Sequence, residues 1–209
     1  MTFSVFRVHR GRSHLYDEHD ADRSAFLQKL VARKTIGANG YHSYISKSFI
    51  HAVPVPTKFA RRFLPPFSDR TAFYASFCKE TAIAEGCYHL HKSVFGHLER
   101  FDKRLRRQLF LVEYEEIGAL DLRNTAMPED LEASFSLVTS DPDAPSVIYP
   151  SLRKKSGFNV CVYQIERLST VPAEVQELEI SYENDEVFVS FPAMSVEPLV
   201  IKQPSSAED

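Results

Sequence analysis

Apolar and polar positions alternate over residues 3–9, which predicts an opening strand. A charged, turn-rich stretch follows. Residues 23–34 then place Phe26, Leu27, Leu30 and Val31 on one stripe, the spacing of a helix that Asp20 or Asp22 would cap and that Gly37 and Gly40 would stop. From 41 to 69 there is no sustained period. Pro54, Pro56, Pro65 and Pro66 mark that stretch as an ordered loop or irregular arm. Residues 71–76 read as a short buried strand. Residues 79–98 form the clearest helix, with Ile83, Cys87, Leu90, Val94 and Leu98 on one face.

The second half of the chain is richer in strands. Residues 107–114 and 118–122 read as strands, 128–131 as a helix start, 146–149 as extended, and 158–165 as a strongly apolar strand. Residues 177–182 and 186–191 flank Glu183-Asn184-Asp185, a hairpin signature. No repeat or low-complexity tract is present, and residues 203–209 are a polar tail. Strand–helix alternation is not sustained, so the expected class is α+β or mixed α/β, a compact β-sheet core with flanking helices rather than a doubly wound sheet. One domain is expected over residues 1–202, with the hairpin at 175–192 as a candidate extension.

Composition narrows the function classes. The 209 residues are 44% hydrophobic and 25% charged, with 7 glycines, enough apolar material for an ordinary globular core. A net charge of −3 supplies no broad positive field, so no nucleic-acid ligand is expected. Cys78, Cys87 and Cys161 cannot all pair within one chain and lack metal-ligand spacing. They read as reduced, mostly buried thiols in a reducing compartment. Neither a signal peptide nor a membrane-spanning run is expected, and a cytoplasmic location follows, although delivery to another cell by a route without a cleavable signal escapes this test.

The most suggestive chemistry runs from Arg61-Arg62-Phe63 through Asp69-Arg70 to Tyr74 and Glu85. An arginine loop beside a strand tyrosine and a helix carboxylate has the groups to grip a phosphate, stack on a ring and stabilise a cation. The same residues equally describe a solvated loop, a packed strand and a helix face turned to water. Ser151 follows Tyr149-Pro150, where a plain turn hydroxyl is the simpler reading, and no Gly-x-Ser-x-Gly elbow marks it as a nucleophile. His89 and His91 lie two apart on a helix, so no metal pair is expected. No glycine-rich phosphate fingerprint is present, so a dinucleotide would not be held in the Rossmann manner.

The order of these pieces resembles the RES family, named for its arginine, glutamate and serine. The likeness rests on Phe6-Arg7-Val8, Arg62-Phe63, Phe73-Tyr74-Ala75-Ser76, Thr81-Ala82-Ile83-Ala84-Glu85, Ile148-Tyr149-Pro150-Ser151-Leu152-Arg153 and Gly157-Phe158-Asn159. It spans roughly residues 3–164. The resemblance implies a fold like that of ADP-ribosyltransferase toxins, NAD as substrate rather than cofactor, and scission of the nicotinamide–ribose bond with water or inorganic phosphate as acceptor. It also implies an antitoxin or immunity partner. By position, Glu85, Arg62 and Ser151 take catalytic roles, while Arg7, Tyr74 and Arg61 take binding roles. The family's double glycine is replaced by Phe59-Ala60 before the arginines, which leaves Arg61, Arg62 and Arg70 all as candidates for the phosphate.

Two other functions share these residues. An ADP-ribosyltransferase acting on a protein or small-molecule acceptor would use nearly the same site but need its acceptor to turn over. A catalytically silent interaction module would need none of the chemistry, and retention of Tyr74, Glu85 and Ser151 argues against it.

Overall fold

The computed structural model describes residues 1–9, 42–46, 48–49, 61–93, 105–183, 186–191 and 199–202. Strands are β1 (Thr2–His9), β2 (Phe73–Ser76), β3 (Leu105–Glu115), β4 (Leu120–Asp121), β5 (Ser146–Pro150), β6 (Phe158–Val162), β7 (Glu174–Glu183), β8 (Glu186–Ser190) and β9 (Leu199–Lys202). Helices are α1 (Ser43–Ser46), α2 (Lys79–Ser93) and α3 (Leu131–Ser136). The strands form one sheet in the order β4-β5-β6-β2-β1-β3-β7-β8-β9. Every pair is antiparallel except β4 with β5. This is an α+β arrangement, as the unsustained alternation of strands and helices predicts.

Both faces of the sheet are covered at its centre. Val5, Phe73, Ala75, Phe110, Val112, Tyr114, Ile148, Val160 and Val162 pack with Ile45 on one side. On the other, Ala82, Ile83, Cys87 and Leu90 of α2 pack against Leu109, Leu178, Ile180, Val187 and Val189, with Phe6 and Val8 alongside. Farther along that side, Phe63, Leu64, Val147, Tyr149, Cys161 and Tyr163 form a third cluster with Tyr74 against it. Double coverage explains why Val160, Cys161 and Val162 are apolar on both faces instead of alternating. Gly86 lets α2 come close to β1: a Cβ there would stand 2.9 Å from Val8 Cβ.

The seam between β1 and β2 is narrow. β1 pairs with β3 along its whole length, from Thr2–Glu115 to His9–Gln108, whereas β1 and β2 share the single register pair Phe6–Ser76. Beyond that pair β2 keeps its ladder with β6 and has no further register pair with β1.

Several expectations shift at their ends. The strand expected over 158–165 stops at Val162 and gives way to a 3-10 turn at Ile165–Arg167. The expected helix start near 128–131 becomes α3, capped by Asp130, whose carboxylate accepts from the Ala133 amide at 2.7 Å. The stretch 41–69 is not wholly irregular, since α1 makes one turn inside it. The hairpin at 175–192 is β7–β8, built into the sheet with Leu178, Ile180, Val187 and Val189 fully buried. The expected helix at 23–34, the loop prolines Pro54 and Pro56, the helix residues Val94 and Leu98, and the tail at 203–209 lie outside the described residues. Among the described residues no helix is long and apolar enough to cross a membrane. All three cysteines are free, and Cys87 and Cys161 are buried.

Candidate active site

Glu85 projects from α2 one turn after Thr81, which is fully buried against Gly157. A Cβ on Gly157 would collide with the Thr81 side chain, so this glycine lets the loop after Ser151 close onto the helix. That contact brings β5, β6 and α2 together at one carboxylate. The Ser151 hydroxyl donates to Glu85 Oε1 at 2.7 Å, and Asn159 Nδ2 donates to the same oxygen at 2.8 Å. Ser151 Oγ in turn accepts from the amides of Arg153 at 3.0 Å and Lys154 at 3.1 Å. Glu85 itself remains partly exposed. Among the described residues no donor reaches Oε2.

The loop arginines have distinct surroundings. Arg61 and Leu64 exchange backbone hydrogen bonds across a tight turn whose Phe63 has φ of 62°. That left-handed conformation is costly for an aromatic residue. It is held by burial of the Phe63 ring against Tyr149, with centroids 4.7 Å apart, and by two tyrosine hydroxyls. Tyr74 donates to the Arg62 carbonyl at 2.5 Å and Tyr163 to the Phe63 carbonyl at 2.7 Å. The Arg62 guanidinium donates to the Pro128 carbonyl at 2.5 Å and, more weakly, to that of Glu129 at 3.5 Å. Arg61 is exposed. Arg70 donates to the carbonyls of Pro142 at 2.7 Å and Ala144 at 2.5 Å and lies 3.6 Å over the Tyr163 ring. Its cationic fork is thus engaged in tying its own loop to the 142–144 loop and to Tyr163, the residue after β6.

Electrostatics links the arginine turn to the carboxylate. Burial pushes the Tyr149 hydroxyl well above its ordinary pKa; Cys161 and Glu85 push it the same way, and Arg62 pulls it back. Glu85 and Arg62 therefore both act on one buried phenol. Tyr74 is likewise raised well above the usual tyrosine range, first by burial and then by Cys161, Tyr149 and Tyr163. It is a neutral phenol whose proton is committed to the Arg62 carbonyl.

Arg7 is engaged elsewhere. Its guanidinium donates to Ser48 Oγ at 2.6 Å and sits 4.6 Å from the Phe73 ring centroid. Successive strand residues point to opposite faces, so this is the Phe73 side of β2 rather than the Tyr74 side. Burial lowers the Arg7 pKa to about 10, with Tyr74 acting in the opposite sense. Of the residues singled out in the sequence, Glu85 and Ser151 are in direct contact, Tyr74 packs against the cluster that holds Tyr149, Arg62 and Glu85 both act on the Tyr149 hydroxyl, and Arg7 bonds to Ser48 instead.

The sequence reading left out three members. Asn159 and its support Ser76 stand in motifs already noticed, Gly157-Phe158-Asn159 and Phe73-Tyr74-Ala75-Ser76, but a lone amide or hydroxyl on a strand carries no signal of its own. Tyr149 was passed over as the residue before the Pro-Ser turn. Arg153, from the same turn, lies 3.5 Å over the Tyr88 ring of α2 and within 4.0 Å of Glu129.

The family model described as the RES domain matches residues 36–183. No curated protein matches the chain.

Proposed function

The chain belongs to the RES-domain family, and on that premise we propose that it degrades NAD by breaking the bond between nicotinamide and ribose, with water or inorganic phosphate capturing the ribosyl carbon. The observation that carries this reading is the Glu85 carboxylate, held at Oε1 by Ser151 and Asn159 with Oε2 unengaged among the described residues. Departure of nicotinamide leaves an oxocarbenium-like ribose, and a fixed carboxylate beside it stabilises the developing charge or orients the ribose hydroxyls. A carboxylate already held needs no reorganisation as the charge appears.

In this reading Arg62 meets the pyrophosphate, trading its two backbone carbonyls for a charge-assisted fork. Tyr74 packs beside the nicotinamide or ribose while its hydroxyl keeps the arginine turn in place. The single register pair between β1 and β2 supports a dinucleotide lying along that seam, as in an ADP-ribosyltransferase-like fold, while Arg7 faces Ser48 and Phe73 on the side of the sheet opposite α2. A toxin of this kind needs a partner that restrains it, and a cognate antitoxin or immunity protein is proposed for that part.

The test is nicotinamide release from NAD by the purified protein, with and without inorganic phosphate, repeated on Glu85→Ala. Release that depends on Glu85 is expected, and the phosphate arm names the acceptor. Equal release by the variant, or none by the wild type, would overturn the reading. Release only after a protein acceptor is added would mark a transferase instead.

A further inference from the structure

We infer that Ser76 and Asn159 are positioning residues that aim the Glu85 carboxylate, a role that rests on the NAD-cleaving reading of the same site. Ser76 and Asn159 face each other as register partners of β2 and β6, so their side chains leave the sheet on the same face. Both are nearly enclosed, at 3% and 4% exposure. The Ser76 hydroxyl donates to Asn159 Oδ1 at 2.7 Å, and Asn159 Nδ2 donates to Glu85 Oε1 at 2.8 Å. The three side chains form a directional relay from strand to strand to helix.

The relay has only one workable polarity. An amide turned end for end would set Oδ1 against the carboxylate, two acceptors at hydrogen-bond distance, and would leave Nδ2 facing the hydroxyl. Glu85, which can only accept, therefore fixes the amide orientation, and the Ser76 hydroxyl donates to the oxygen that this orientation presents to it. Ser151 is constrained in a matching way. Its oxygen accepts two backbone amides, so its one proton is left for Glu85. Two donors with no freedom to turn away converge on Oε1, and Oε2 is the oxygen presented to the ribose. Among the described residues, Ser76 bonds to Asn159 and not to the carboxylate. It acts through Asn159.

The experiment compares wild type with Ser76→Ala and Asn159→Asp. Both substitutions remove little volume, and thermal midpoints check that each variant folds. The Asn159 side-chain amide resonances read the relay without substrate: slow proton exchange is expected in the wild type and fast exchange in Ser76→Ala. In nicotinamide release, Ser76→Ala is expected to lose kcat by about tenfold with KM nearly unchanged, the signature of a misaimed group rather than a lost substrate contact. Asn159→Asp replaces the donor to Glu85 with a second carboxylate, so it loses more. Unchanged amide exchange in Ser76→Ala, or a rise in KM at constant kcat, overturns the positioning role. A wild type that releases no nicotinamide overturns the NAD reading instead, while the amide resonances still decide whether the relay exists.

Discussion

The Ser151 hydroxyl meets Glu85 Oε1 at 2.7 Å across 66 residues of chain. The serine is two-sided, since it also caps the amides of Arg153 and Lys154. Ser151→Ala removes a donor from the carboxylate and an acceptor from two backbone N–H groups. Turnover is expected to fall about tenfold, with about 1–2 kcal/mol of stability lost from the unmade bonds. Steady-state nicotinamide release and urea midpoints measure the two effects separately, and wild-type kcat in this variant would remove Ser151 from the site.

The arginines should separate by assay. Arg70 holds two carbonyls and a tyrosine ring, so Arg70→Ala is expected to cost about 1–3 kcal/mol in urea unfolding while the folded fraction turns over normally. Arg62→Ala is expected to raise KM for NAD about tenfold, since a charge-assisted fork to phosphate is lost. Arg61 is exposed, and its alanine variant should stay within about twofold of wild type. A KM effect at Arg61 and none at Arg62 would reverse the assignment.

Alkaline pH should unfold the protein through groups that cannot ionise inside it. Burial pushes Cys87 and Cys161 from 9.0 to about 12 and Tyr114 from 10.0 to about 12, and Tyr74 and Tyr149 are raised well above 10.0. Between those limits the folded chain keeps protons that the unfolded chain releases, so the stability present below pH 9 is lost as pH rises toward 12. Each such group contributes a slope approaching ~1.4 kcal/mol per pH unit. Arg7, lowered from 12.5 to about 10, has the opposite sign, but it is one group and acts only above pH 10. Urea midpoints measured from pH 8 to 11 should fall steadily; a flat profile would contradict the burial of these phenols and thiols.

Gly86 sets two effects against each other. Alanine is favoured over glycine inside a helix by about 1 kcal/mol, but its Cβ would stand 2.9 Å from Val8 Cβ. Because that neighbour is fixed to the β1 backbone it cannot swing aside, and overpacking of this kind costs about 1–3 kcal/mol. Gly86→Ala is therefore expected to lower the thermal midpoint. A higher midpoint would mean that α2 has room to lift from the sheet.

Local pattern was enough to identify most of the elements. Alternation at residues 3–9, the stripe of Ile83, Cys87 and Leu90, and the turn residues between 182 and 186 depend on near neighbours in the chain, and β1, α2 and the β7–β8 hairpin appear where they point. Residues 199–202 were not recognised as a strand, because four residues after a proline-containing stretch offer too little pattern, and it is pairing with β8 that makes them one. The ending of β6 at Val162 was equally hidden, since nothing in Tyr163-Gln164-Ile165 distinguishes a strand from a turn.

The sequence by itself determined which chemical groups are available: a helix carboxylate, a serine after Tyr-Pro, a strand tyrosine and a set of loop arginines, in an order shared with one family. Only the tertiary structure decided which of them meet. It joined Glu85 to Ser151 and to Asn159, committed Arg70 to loop carbonyls, and set Arg7 beside Ser48 and Phe73. The physical reason is that a hydrogen bond between residues tens of positions apart is governed by sheet register and helix docking, and those depend on the whole packed core rather than on the residues that use it.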